Sequence, residues 1–542
     1  MFTTACRCLG LGLATFLSLT PFLADAQAPT KLWDRVIGGV GEEVAQVIRP
    51  TPDGGYVVGG LSGSPVSGDK TQGNRGFKDY WIVKCDANGT KQWDRTFGGD
   101  REDGLVDLKP TADGGYILAG SSFSDATGDK TQNSKSFYDY WVIKLDAQGN
   151  KMWDRDFGGD GQDLLASVHQ TTDGGYILSG TSTSNVSVDK SQPSPFGAAY
   201  WVVKLDAQGT KLWDRTYGSD RECELGRLIP TADGGYLLGG STVGGVSGDK
   251  TQPTKGGHDY WLIKLDAQGN KVWDRDLGGS DSERLADLVQ TADGGYLIGG
   301  SSGSPVSGDK TLPNRGIRSF QDYWVIRLDA QGTKLWDQVV GGSENDELST
   351  LLLTADGGCV LGGLSLSGVS GEKTQASQGD YDAWVVKLSA TGQKQWDAGF
   401  GGTRLEMLRS LTQAPDGTLL LAATSGSPVS GDKTQPSRGM EDYWVLKLSA
   451  LPTAAATARR AALGLYPNPA RRAVHFTVPA DAPRHGLQLR LLDATGRVVQ
   501  QQALTAAGGQ DLALAAGLVP GLYLLRLDGP GSYSTTQRLQ VW

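Results

Sequence analysis

Between residues 31 and 450, apolar and polar positions alternate in short runs, and the runs recur. In the second copy, L-V-D-L-K-P (Leu105–Pro110) is followed by Y-I-L-A-G (Tyr116–Gly120), Y-W-V-I-K-L (Tyr140–Leu145) and K-M-W-D-R-D-F (Lys151–Phe157). Each run is rich in β-branched, aliphatic or aromatic residues and is bounded by Gly, Asp, Asn or Ser. That pattern predicts four strands per copy, and helical spacing is missing throughout. T-A-D-G-G (Thr111–Gly115) predicts a tight hairpin, and L-D-A-Q-G-N-K (Leu145–Lys151) a second one with Gly149 in the left-handed position. A long polar loop, Ser121–Asp139, joins the two hairpins into an antiparallel meander.

The meander occurs seven times, with a period of about sixty residues. Trp33, Trp93, Trp153, Trp213, Trp273, Trp336 and Trp396 mark W-D pairs. Trp81, Trp141, Trp201, Trp261, Trp324, Trp384 and Trp444 each lie in the third strand. With Trp542 these are all fifteen tryptophans of the chain, so they read as packing between neighbouring units; stacking on sugar rings is the competing reading. Such an array predicts an all-β, seven-bladed β-propeller. It opens on a fourth strand (Lys31–Val36) and closes on a third (Tyr443–Leu448), so the N-terminal strand completes the last blade and closes the ring. The hairpin from Val202 to Asp214 resembles that of quinoprotein-type propeller repeats, which implies fold only.

Four segments follow: a signal peptide (1–28), the propeller (29–450), a linker (451–462) and a small β-sandwich (463–542). Arg7, the apolar run Leu9–Leu23 and the small-x-small site Ala26-Gln27-Ala28 read as a secretory signal, with cleavage after Ala28. No stretch is long and apolar enough for a membrane span. The net charge of −9 gives no electrostatic reason to expect nucleic acid. Cys85, Cys223 and Cys359 have no disulfide-like spacing and read as small hydrophobes.

The sandwich carries Y-P-N-P (Tyr466, Pro467, Asn468, Pro469), D-A-T-G-R-V-V (with Asp493 and Gly496) and G-L-Y-L-L-R-L (with Gly521 and Tyr523). These motifs are similar to the type A C-terminal sorting domain of the type IX secretion system of Bacteroidota. The resemblance implies handling by that machinery and passage through the periplasm to the outer surface or beyond. Cleavage of the domain then follows, with release or attachment to lipopolysaccharide. G-G-x-x-x-D, T-x-D-G-G-Y and D-Y-W-V-V-K-L-D also resemble propeller-type repeats of large secreted proteins of these bacteria, which implies no defined enzymatic activity.

Two repeated polar elements are candidate contacts. Four residues past each G-G pair stand Glu43, Asp103, Asp163, Glu283, Asp346 and Glu406, with Cys223 in the fourth unit. At the start of the innermost strand they are expected to ring the channel mouth, where carboxylates suit Ca²⁺. The competing reading has each acid bonding its own loop. The second element is S-G-D-K-T-Q, with Asp69-Lys70, Asp129-Lys130, Asp249-Lys250 and Asp309-Lys310 as ligand-face candidates, or as a turn closed by its own side chains.

Catalysis needs one asymmetric set of groups, and this array is nearly symmetric. His169, His258 and Cys223 are the irregular residues. The expected protein is a non-catalytic binding or adhesion protein for a glycan or surface protein, without a cofactor unless calcium, and scatter of these residues in the fold would favour it. Their convergence would point to a polysaccharide lyase or hydrolase. A purely structural surface component is the third class.

Overall fold

The computed structural model describes residues 27–195, 197–316, 320–451, 464–478, 485–493, 497–504, 509–528 and 534–542. Ala26, Gly496, the linker from 452 and the signal segment before 27 lie outside them. The chain divides into two compact units between Leu451 and Pro452.

The first unit contains seven four-stranded antiparallel sheets. Blade 1 runs Glu43–Pro50, Tyr56–Ser62, Asp79–Cys85 and Lys91–Phe97. Blades 2 to 7 repeat it, with inner strands Asp103–Pro110, Asp163–Gln170, Cys223–Pro230, Glu283–Gln290, Asp346–Leu353 and Glu406–Gln413. Blade 7 takes its outermost strand from Lys31–Ile37, which pairs antiparallel with Asp442–Leu448 in the register Trp33↔Lys447 to Ile37↔Tyr443. The inner strand of blade 1 packs on blade 7, so the ring is closed. Gly149 has φ +78°, as its hairpin requires.

The core lies between blades. One apolar cluster joins Val47, Tyr80 and Ile82 of blade 1 to Leu105, Leu118 and Trp141 of blade 2, and equivalent clusters recur around the ring. The third-strand tryptophans from Trp81 to Trp444 are fully buried, so they offer no face for a sugar. Six of the seven meet the third-strand tyrosine of the preceding blade, as in Tyr80–Trp141 (4.9 Å between centroids) and, across the closure, Tyr443–Trp81 (5.1 Å); Trp444 follows a blade with Ala383 at that position. The Tyr80 hydroxyl donates to the Trp141 carbonyl oxygen at 3.1 Å. It lies so close to Gly120 that a Cβ there would come within 2.6 Å of it.

Every inner strand carries a register shift between its third and fifth residues, as between Leu105 and Asp107. The extra residue breaks strict alternation. The fourth and seventh residues of every inner strand line the central channel, joined by the fifth in six of the seven, while the first is buried away from it between blades.

The second unit has two sheets: Gly464–Tyr466, Ala473–Thr477 and Gly509–Ala513 in one, and Val498–Leu504, Leu487–Leu492, Gly521–Asp528 and Ser534–Val541 in the other. Alternating Leu489, Leu491, Leu525 and Leu527 meet Val474 and Phe476 in its core.

Candidate functional site

The six acids expected at the channel mouth are buried completely. As the first residues of the inner strands, they point between blades and not into the channel. Asp103 Oδ2 accepts from Gly99 N (2.7 Å) and from Ser124 Oγ (2.9 Å). Glu43, Asp163, Glu283, Asp346 and Glu406 accept from the equivalent glycines at 2.7–2.9 Å. Each acid closes its own loop, and they form no ring. Among the described residues no group of three or more His, Cys, Asp or Glu is arranged to hold a metal ion.

Each acid instead faces a second one. Asp79, Asp259, Asp322, Asp382 and Asp442 at the start of the third strands lie within electrostatic reach of Asp103, Glu283, Asp346, Glu406 and Glu43 of the next blade. Asp139 and Asp163 hold the corresponding positions between blades 2 and 3. Among the described residues, Asp79 Oδ1 and Asp103 Oδ1 are buried without a hydrogen-bond partner, as are the same atoms of Asp139, Asp163, Asp322 and Asp346. Burial and then a like charge nearby favour the protonated carboxyl at the third-strand aspartates, and at Asp139 and Asp259 the nearest such charges are those of Asp156 and Asp276. Burial pushes Asp79, Asp382 and Asp442 up to about 6, Asp322 to about 7, and Asp139 and Asp259 to about 8. At the seventh interface both members are replaced, by Ala199 and Cys223. The Cys223 thiol is buried between Ser219 Oγ and Thr242 Oγ1, each at 3.3 Å.

The S-G-D-K-T-Q element also turns inward. Asp69, Asp129, Asp249 and Asp309 accept from the backbone N of Gly38, Gly98, Gly218 and Gly278 at 3.0–3.3 Å, clamping the connection from the preceding blade. Lys70, Lys130, Lys250 and Lys310 are buried. Lys70 donates to Ser62 Oγ (2.9 Å), Lys130 pairs with Asp156 (2.7 Å), Lys250 pairs with Asp276, and Lys310 donates to Ser304 O (2.7 Å). Thr71 N and Oγ1 both donate to Asp94, which also accepts from Trp81 Nε1 at 3.1 Å. The D of each W-D pair is thus a hub for its blade, and this face offers a ligand only its loop tips. Exposed there are Phe77, Phe137, Met440 and a recurring valine (Val66, Val186, Val246, Val306, Val369, Val429).

The channel is different. It encloses a cavity of about 1070 Å³ lined by Arg49, Lys109, His169, Arg227 and Asp287 among others. Arg49 and Lys109 reach Asp107 Oδ1 at 3.2 and 3.3 Å, and Arg227 reaches Asp287 Oδ1 at 3.2 Å. Desolvation, then the Lys109 charge, holds the His169 imidazole down to about 3, and its buried Nε2 has no hydrogen-bond partner among the described residues. Of this cluster the sequence singled out His169 alone. The signal was available: the seventh inner-strand residue varies while its neighbours repeat.

The irregular residues do not converge. Cys223 begins the inner strand of blade 4, His169 is next to last in that of blade 3, and His258 precedes the third strand of blade 4, where its carbonyl accepts from Glu283 N at 2.6 Å.

In the second unit Asn468 Nδ2 donates to Arg538 O and Asn468 Oδ1 accepts from Gln540 N, each at 2.9 Å, so Y-P-N-P docks on the last strand. Tyr466 is exposed and packs on His475, with Pro467 and Pro469 beside it at the edge of a surface pocket. Asp493 Oδ1 accepts from Arg497 N at 3.1 Å, Gly521 opens a strand, and the Tyr523 hydroxyl donates to Val519 O at 2.7 Å. Ala28 packs on the core of blade 7.

A closed propeller followed by a separate small β-domain defines the class of protein. Residues 464–541 match the family described as the secretion system C-terminal sorting domain, that of the type IX system, which directs export to the cell surface or the extracellular space. The chain is also 31% identical over 174 residues to the regulatory protein FlaEY of Caulobacter vibrioides, across 31% of this chain and 18% of that protein. Among solved structures, the Pan2 WD40 domain of Neurospora crassa superposes with a TM-score of 0.42 at 9% identity, over 78% of this chain and 97% of that one. Puromycin hydrolase superposes with a TM-score of 0.42 at 14% identity, over 85% of this chain and 65% of that one. Among the described residues no helix is long and apolar enough to cross a membrane.

Proposed function

We propose that the protein is a secreted or cell-surface, non-catalytic binding or adhesion protein. Its signal segment takes it to the periplasm, and the sorting domain takes it across the outer membrane. Removal of that domain leaves the propeller released or attached to lipopolysaccharide. The observation that supports binding over catalysis is the separation of Cys223, His169 and His258 along the inner strands and loops. The strongly repeated polar groups are already engaged in holding blades together. What remains for a glycan or surface protein is the set of exposed, variable loop tips, presented around a ring where a repetitive ligand gains avidity.

The test is a glycan and polysaccharide array probed with the propeller, with calcium and with chelator. Saturable binding without product formation is the expected result. Depolymerised product would overturn the proposal in favour of a lyase or hydrolase. Absence of binding would transfer the adhesive role to a protein partner, sought next by pull-down from cell surfaces.

A further inference from the structure

The channel wall breaks the sevenfold pattern in an ordered way. At the seventh position of the inner strand, three consecutive blades carry Arg49, Lys109 and His169, and the next three carry Ile229, Val289 and Leu352. Thr412 completes the ring. One side of the cavity at this level is basic, and the other is aliphatic.

The nearby carboxylates are committed. Asp107 accepts from Leu108 N (2.9 Å) and Val168 N (3.2 Å) besides its two ion pairs, and Asp287 Oδ2 accepts from Leu351 N (2.9 Å). Arg49, Lys109 and Arg227 interact with Asp107 and Asp287 and leave one positive charge in that group, while the other charged lining residues, Arg284, Arg409 and Glu347, form a second group that is also positive by one, inside a chain whose net charge is −9. His169 is neutral at ordinary pH, and in the tautomer protonated at Nε2 it supplies a donor with no other use. The one uncompensated charge beside the seventh-position arc matches a single carboxylate head group there. The aliphatic wall opposite disfavours a hydrated inorganic ion and a polyhydroxylated sugar, because burial of their polar groups there would go unmatched. The cavity is of the size that holds small organic ligands.

We propose that the channel binds an organic monocarboxylate with an aliphatic or aromatic body, its head group on Arg49, Lys109 and His169 and its body against Ile229, Val289 and Leu352. This site is separate from the loop tips, and it stands or falls independently of any glycan there.

The experiment is isothermal titration calorimetry of the full chain with sodium octanoate, compared with acetate, octanol and octylammonium. Octanoate is expected to bind saturably at one site, with acetate and octanol weaker by about tenfold or more and octylammonium silent. Lys109→Met should weaken octanoate by about tenfold or more. Thr412→Lys extends the basic arc without removing any hydrogen bond of the frame, and should tighten it. Val289→Asn should erode the preference for octanoate over acetate. Lack of saturable octanoate binding to the parent overturns the proposal. So does octanoate binding that ignores both Lys109→Met and Thr412→Lys in variants that melt cooperatively.

Discussion

Single residues show how the repeat tolerates exceptions: they change in pairs. In six blades a third-strand tyrosine meets the next blade, where a glycine stands opposite, and in five of them a Cβ at that glycine would collide with the tyrosine hydroxyl. Blade 6 has Ala383 in place of tyrosine, and blade 7 has Ala423 in place of that glycine. Trp444 consequently packs on small side chains. Ala383→Tyr alone should destabilise by about 1–3 kcal/mol through overpacking against the Ala423 methyl. Adding Ala423→Gly should recover the loss, with a coupling of about 1–3 kcal/mol in a denaturant-melt double-mutant cycle; additivity would disprove the contact. The buried acids follow the same logic, since Ala199 and Cys223 replace both members of one pair. Asp79→Asn would supply a hydrogen to Asp103 while its carbonyl still accepts from Arg75 N. At pH 8 it should stabilise by about 1 kcal/mol, and the gain should shrink at pH 5, where the parent pair holds its own proton. Destabilisation at both pH values would show that Asp79 holds no proton in the folded chain.

At the scale of strands and loops, most of the fold was legible. Period-two runs and Gly-centred turns located all four strands of each blade, and the orphan strand at Lys31 announced the closure. The orientation of the first inner-strand residues was not legible. Sequence says that Asp103 recurs, but only the pairing Asp103↔Ser122 and the shift after Leu105 decide which side chains reach the channel. The buried lysines misled for a related reason. Lys130 looks like a surface charge until its partner Asp156, twenty-six positions away, is brought to 2.7 Å by the third and fourth strands. His169 stood out in the sequence only as an irregularity, and Lys109 beside it not at all, because repetition, the usual guide to importance in an array, points away from them. The closing strand yields its own prediction. Without residues 27–38 the strand Asp442–Leu448 has a bare edge, and Trp444 Nε1 loses Asp34 Oδ2, its acceptor at 3.0 Å. The truncated chain should melt well below the parent, and a peptide of residues 27–38 added in trans should restore much of the difference. A truncated chain with unchanged melting would mean that the ring does not depend on this closure.

For the whole propeller, the acid pairs set the direction in which pH acts. Six third-strand aspartates have folded pKa values raised from 3.8 to between about 6 and about 8, chiefly by burial. A raised acid binds its proton more tightly folded than unfolded. Its contribution to stability is therefore full below pH 4 and is lost as pH rises through 6 to 8. His169 acts oppositely: its pKa is lowered from 6.5 to about 3, so its contribution fades as pH falls through that interval. One group opposes six, and the aspartates should prevail between pH 5 and pH 7.5. Below pH 4 another set takes over. Asp53, Asp113, Asp173, Asp233 and Asp293, each paired with the cation of its own third strand and lowered to about 2, are protonated there and release those pairs. These carboxylates are largely exposed, so each loss is modest. Melting temperature should accordingly be higher at pH 5 than at pH 7.5 and should fall again below pH 3, as followed by calorimetry. Calcium gives the contrasting control. If protons, and not cations, fill the gaps between paired carboxyls, millimolar calcium should leave the melting temperature at pH 7.5 unchanged, and Asp103→Asn should not alter that indifference. A calcium-dependent rise abolished by Asp103→Asn would reverse the assignment and make these interfaces cation sites.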